Sequence, residues 1–293
     1  MGEAMTFGRY LGGIALVAVA VAPLVFAAVR VRSRWLSDWA GAPARLAEAV
    51  IFLALLLGVA KVLGTVGAFY PVPVAVACGV CGLALGAVCR PPAARPEPVG
   101  VPAVGRFGVV ASIGAAAVVV GQWGVDTVEA LDRGMYGSDT LRYHGPVAAR
   151  FVQDHSITAL HFLIDDPVTS FHPYDAELLH ALGILFMGSD VLSPILNLGW
   201  VALALLAAWC AGRPTGHGPA TLLGVALVLG SPALAQTQPG TVDNDITGLA
   251  LVLAAAALLL CAGGTRRGGI AAAGAAGGLA VASKLTAVGI VGR

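Results

Sequence analysis

Charge is scarce in this chain: Asp, Glu, Lys and Arg make up 11% of its 293 residues, against roughly a quarter in an ordinary soluble domain. With 58% of residues hydrophobic, lipid rather than water is its natural solvent. No sign of charge dominates either. The net charge of +1 gives no field that would gather nucleic acid. Cysteine is sparse as well. Cys78, Cys81, Cys89, Cys210 and Cys261 lie in or beside apolar runs, and none falls in the long polar stretch, which argues against a disulfide framework. Cys78 and Cys81 have the spacing of a redox or zinc pair, but in an apolar helix without His partners they read as packing residues. Strand-like alternation of the barrel kind is missing too.

What the sequence has in quantity is long apolar runs, at 11–29, 47–69, 72–89, 107–123, 191–211, 218–236, 245–262 and 269–290. Each is close to the roughly 17–25 residues a span needs, and spans of this length in lipid must satisfy their own backbone groups as helices. The expectation is an all-α polytopic membrane protein with about eight transmembrane helices. The first run lacks a convincing cleavage site and reads as an anchor. The last is rich in Gly and Ala, which suits close helix–helix contact.

The arginines orient this serpentine. Arg30, Arg32, Arg34 and Arg45 lie in the 30–46 connection, Arg90, Arg95 and Arg106 in 90–106, Arg213 in 212–217, and Arg266 and Arg267 in 263–268. These are alternate connections, so the positive-inside rule makes them cytoplasmic. The N-terminus, 70–71, 124–190 and 237–244 are then outside. The 124–190 loop differs from the rest: Asp126 to Asp190 holds ten acidic residues, three arginines and five of the six histidines. Leu141, Val147, Phe151 and Val152 suggest short helices along the membrane surface, with Pro146 restarting the turn. A further helix is expected from Pro173 through ELLHALGILFMG to about Gly188.

Several groups of residues stand out for chemistry. In GSDTLRYHGPVAARFVQ (137–153), Asp139 precedes Tyr143 by four residues, hence on one helix face, with Arg142 and His144 beside it; capping by Asp139 and interface anchoring by Tyr143 account for the same spacing. In TVDNDITG (241–248), Asp243 and Asp245 sit at the lip of a span, where acidic residues also serve as caps. Lys284 lies about 22 Å along the last run, either a functional cation or a snorkelling one; Lys61 is similarly placed in the second. The segment FHPYDAELLHAL adds His172, Tyr174, Asp175 and His180, without the spacing of a dedicated zinc site.

The order of these segments resembles the GT-C class of membrane glycosyltransferases, in particular the branch holding protein O-mannosyltransferases and the Rgt-type and aminoarabinose transferases. A span leads into an outer loop with an acidic residue before an amphipathic helix (Asp139 in GSDTLRYHGPVAARFVQ). A helix of the kind ELLHALGILFMGSDVL follows, then a span ending in a basic turn (NLGWVALALLAAWCAGR). An acidic group next opens another span (VDNDITGLALVLAAAALLL), before a small-residue span with a lysine (GLAVASKLTAV). The resemblance covers about 107–290. It implies a GT-C-like core of five spans at 107–293, behind a three-span accessory region at 1–106. The family usually has further spans and often a C-terminal outer domain, so the chain, which stops at Arg293 directly after a span, is expected to be a fragment, a truncated relative or an inactive partner.

The resemblance also implies a reaction: transfer of a sugar from a polyprenyl-phosphate donor to an extracytoplasmic glycan, lipid or protein acceptor. Asp139 would take the acceptor proton, Lys284 and Arg142 would meet the phosphate, and Tyr143, His144, His172, Tyr174, Asp243 and Asp245 would shape the pocket. Some members use a divalent metal, Mg or Mn, and others do not; the sequence leaves this open. The rival readings are a transporter or flippase of lipid-linked sugars, for which paired repeats are missing and Pro232 is the one candidate helix break, and a non-catalytic scaffold that binds a partner through the acidic loop.

Overall fold

The computed structural model describes residues 7–92, 102–158, 171–263 and 267–291. Arg95 and Arg266, two of the arginines used for orientation, lie outside the described residues. Every regular element among the described residues is helical. Four long helices come first: α1 Phe7–Trp35, α2 Ala42–Thr65, α3 Pro71–Val88 and α4 Arg106–Arg133. A π-helical turn, Thr140–His144, leads into α5 Gly145–Gln153 and α6 Asp175–Met187. Then come α7 Ser193–Gly212, α8 Gly218–Leu229, the single turn α9 Pro232–Ala235, α10 Asp245–Ala262, α11 Arg267–Ser283 and the single turn α12 Val288–Val291.

Six of these, α1 to α4, α7 and α10, are long and apolar enough to cross a membrane. Large side chains such as Val62, Val80, Val118 and Leu227 face outward on the helices, a surface suited to lipid. The architecture is that of a multi-pass membrane protein. Two expected spans depart from the sequence reading. The 218–236 run stops as a helix at Leu229, because Ser231 is extended (φ −68°, ψ 148°) before Pro232, and a residue preceding proline is pushed out of the α region. The 269–290 run breaks at Lys284, also extended (φ −149°, ψ 119°). There the Ser283 carbonyl is taken by the Asn244 side chain at 3.0 Å, so it is diverted from the helical ladder.

Helix ends sort into two sets. At one end, the Arg213 guanidinium donates to the Ala40 carbonyl at 3.1 Å, and Gly268 lies against the Trp35 backbone. There Arg32 and Arg45 also close on the buried Glu48 at 2.8 and 2.6 Å. At the other end, the Phe69 N–H donates to the His155 carbonyl at 3.1 Å, and Gly13 of α1 packs on Phe186 and Met187. This second end holds the C-terminal ends of α4 and α11, the N-terminal ends of α6 and α10, and the π turn with α5.

α4 is longer than its apolar run. It continues through 124–133, the first part of the expected loop, where Arg133 and Glu129 form an i,i+4 pair at 2.6 Å. α5 is amphipathic, as its apolar spacing suggests: Val147 and Phe151 are buried, and α5 packs on α6, while Leu141 in the π turn stays exposed. α6 ends at Gly188, whose φ of 69° is the left-handed cap that glycine permits. Two of the first three helices pack directly on the rest: α1 meets α6, and α2 meets α6, α7, α10 and α11, while α3 packs on α1 and α2.

Candidate functional site

The second end holds a polar floor built from three pieces of non-α backbone. The first is the π turn. Gly137 carries a φ of 116°, which a side chain would disfavour, and this kink delivers Asp139 and Thr140 to the segment before α10. The Thr140 hydroxyl donates to Asp243 Oδ1 at 2.7 Å and accepts from the Val242 N–H at 3.1 Å. Asp139 is exposed and makes no capping bond; its Oδ2 accepts the Tyr143 hydroxyl at 3.3 Å. Burial, with Asp139 beside it, pushes the Tyr143 phenol up from its ordinary value, so it stays a donor. Its ring is tilted against that of His144, with centroids 4.0 Å apart. No ion pair joins Arg142 to Asp139 among the described residues; Arg142 is exposed.

The second piece is residues 238–242, irregular yet buried throughout. Irregular backbone needs partners wherever water is excluded. Asn197 of α7, fully buried, supplies them: its Nδ2 approaches the carbonyls of Gln238 at 2.7 Å, Thr241 at 3.2 Å and Asp243 at 3.4 Å. The Gln238 side chain then spans the start of α10, accepting from the Ile246 N–H at 3.2 Å and donating to Asp245 Oδ2 at 3.1 Å. Burial raises the Asp243 carboxyl pKa above its ordinary value, with the Thr140 bond and His144 drawing it back and Asp139 and Asp245 adding to the rise.

The third piece is the break at Lys284. Its ammonium donates to Asp245 Oδ1 and, at 3.2 Å, to Asn244 Oδ1. Lys284 is therefore paired within the protein rather than snorkelling. Asp243 engages Thr140, Asp245 engages Lys284 and Gln238, and no acidic side chain caps α10, whose first-turn Ile246 N–H is met by Gln238 instead. The capping explanation for Asp139, Asp243 and Asp245 finds no bond to support it.

Behind these pieces lies Glu177 of α6. Its Oε1 bonds His144 Nδ1 and accepts from Asn244 Nδ2 at 3.4 Å, all three groups being buried. His180, one turn further along α6, is fully enclosed, and burial together with the nearby His144 lowers its pKa to about 3. Asp175, at the start of α6, pairs with Lys61 of α2 at 2.8 Å.

Of the residues singled out in sequence, Asp139, Tyr143, His144, Asp243, Asp245 and Lys284 converge on this floor. Tyr174 instead packs edge-on against Phe151, with ring centroids 5.8 Å apart. His172 is exposed and lies beside Phe171 and Pro173, in a shallow depression against Gly277, Gly278 and Val281 of α11.

Glu177, Asn197, Gln238, Asn244, Thr140 and Ser283 were not singled out in sequence. A signal existed for two of them: Glu177 is an acid in the apolar helix ELLHALGILFM, and Asn197 an amide early in the apolar run NLGWVALALL. Among the described residues, no three His, Cys, Asp or Glu side chains are grouped so as to hold a metal ion. The carboxylates of the floor are instead engaged one by one, Asp139 by Tyr143, Asp243 by Thr140 and Asp245 by Lys284 and Gln238. Comparison with protein-family models, with curated proteins and with solved structures found no match to this chain.

Proposed function

We propose that the chain is a GT-C-like membrane glycosyltransferase with eight membrane passages, α8 and α11 supplying the two beyond the six long helices. In this reading the arginine-bearing end is cytoplasmic by the positive-inside rule, and the polar floor faces outward, with α5 and α6 at the interface. The observation that carries the reading is the exposed Asp139 carboxylate, held by Tyr143 on the same floor as the Lys284 ammonium. A transfer reaction needs a proton acceptor and a cation at one membrane face. The acceptor oxygen bonds to the anomeric carbon as the bond from that carbon to the phosphate oxygen breaks. The hydroxyl proton passes to Asp139, and the departing polyprenyl phosphate keeps the electron pair, with Lys284 to meet its charge.

The test is transfer from polyprenyl-phosphate sugars in reconstituted membranes. Asp139→Asn keeps the size of the side chain and loses the base, so transfer should fall by about 100-fold or more, the scale of an acid–base group. Near-parent transfer by Asp139→Asn would remove the base assignment. Absence of transfer by the parent across a panel of carrier-linked sugars would favour a carrier instead. The helix breaks at Ser231 and Lys284, flanking a buried polar segment, are the observation on that side.

A further inference from the structure

Glu177 is 1% exposed, and a carboxylate that deep is stable only when neutral or paired. His180 is no counterion, because its burial keeps it neutral. Lys284 reaches Glu177 only through Asn244. The contact with His144 is direct, a hydrogen bond between its Nδ1 and Glu177 Oε1. The same oxygen, Oε1, also receives Asn244. Two arms leave it: one through His144 and the neighbouring Tyr143 to Asp139, the other through Asn244 to Lys284 and Asp245. Among the described residues, Oε2 of Glu177 and Nδ1 of His180 have no hydrogen-bond partner.

We propose that Glu177 is the positioning residue of the polar floor: through one carboxylate oxygen, bonded to both His144 and Asn244, it fixes the Asp139 arm against the Lys284 arm. This rests on the reading of the floor as the transfer site, but its geometry can be tested without transfer. The groups facing the pair are Tyr143 and Asp243 from the π turn and the segment before α10, Asp175 and His180 from α6, Lys284 from the α11 break through Asn244, and Lys61 of α2 behind Asp175. Without the Glu177 carboxylate, His144 and Asn244 lose the atom they share, and the two arms loosen.

The experiment uses the full chain in nanodiscs, with two readouts. The first is the ¹⁵N spectrum of the His144 imidazole in the parent and in Glu177→Gln, which keeps the shape but removes the charge. The His144 Nδ1 resonance should move in the variant, since its hydrogen-bond partner changes from a carboxylate to an amide; an unmoved resonance overturns the proposal. The second is the distance distribution between spin labels at Leu141 and Leu285, both exposed, in a background with the five native cysteines replaced. Glu177→Ala should broaden it and Glu177→Gln should largely restore it, while a control pair at Val80 and Val110 stays unchanged. An unchanged floor pair overturns the proposal. So does a broadened control pair, which would make Glu177 a residue of the fold rather than of the floor. Failure of transfer in the parent would count against the proposed function and leave both readouts standing.

Discussion

Lys61 of α2 and Asp175 of α6 form an ion pair at 2.8 Å across 114 residues of sequence. It joins the second span to the helix that carries Glu177, so the first spans and the polar floor share a charged contact. Lys61 is 41% exposed at its side chain and Asp175 5%, so the cost of breaking the pair falls mainly on the buried carboxylate.

Lys61→Met should therefore destabilise the protein by roughly 1–3 kcal/mol, the range for a buried polar group left without its partner. Burial raises the Asp175 pKa, the Lys61 hydrogen bond and charge lower it, and Glu177 adds to the rise. A raised folded-state value means that the Asp175 contribution is fully present below the unfolded pKa and is lost as pH rises through the folded one. Removing Lys61 strengthens that trend. The deficit of Lys61→Met should shrink as pH falls from neutral toward about 4, in thermal unfolding measured in detergent across that range. A deficit independent of pH would point away from Asp175.

The long helices were legible in sequence because length and apolarity decide most of them; α3, α7 and α10 follow their runs closely, whereas α1 extends past its run at both ends. α5 was legible in outline from Val147, Phe151 and Pro146, whereas the π turn was not, and Leu141, read as part of the apolar face, is exposed. The break at Lys284 was not, because it depends on Asn244 reaching the Ser283 carbonyl from 39 residues away in sequence. Asp139 and Tyr143 could be paired by their spacing. The partners of Glu177 and Asn197 are long-range contacts that periodicity does not encode.

Asp245→Asn should tighten binding of a polyprenyl phosphate, because Lys284 would then lack its carboxylate partner. An exposed pair is worth about 0.2–1 kcal/mol, which is a gain of up to about five-fold in Kd. The gain should vanish when Lys284→Met is added. Unchanged or weaker binding in Asp245→Asn alone would mean that the phosphate does not compete for Lys284.

Asn197→Leu should cost roughly 1–3 kcal/mol, since the carbonyls of Gln238, Thr241 and Asp243 lose a buried donor. Unfolding by heat or denaturing detergent would measure it. A variant as stable as the parent would show that segment 238–243 is held by Thr140 and Gln238 alone.

Membrane-impermeant thiol labelling of intact cells should modify Leu141→Cys and spare Phe107→Cys, in a background without the native cysteines. Both positions are exposed, at 64% and 88%, so accessibility reports the side of the membrane. The opposite pattern would place the polar floor in the cytoplasm and exclude an extracytoplasmic acceptor.

α8 has 12 residues and is about 18 Å long, whereas its neighbour α4 has 28 and is about 42 Å long. A hydrocarbon core is about 30 Å thick, so the two helices cannot both match it. With α8 as a passage, the bilayer dips beside it, where Leu227 and Val228 face outward, and stands full height along α4. Such mismatch costs fractions of a kcal/mol per ångström, and it is smaller in a thinner membrane. On the eight-passage reading, bilayer thickness would set how far the headgroup layer sits from Asp139, and chain length in the surrounding lipid would act on the protein from outside.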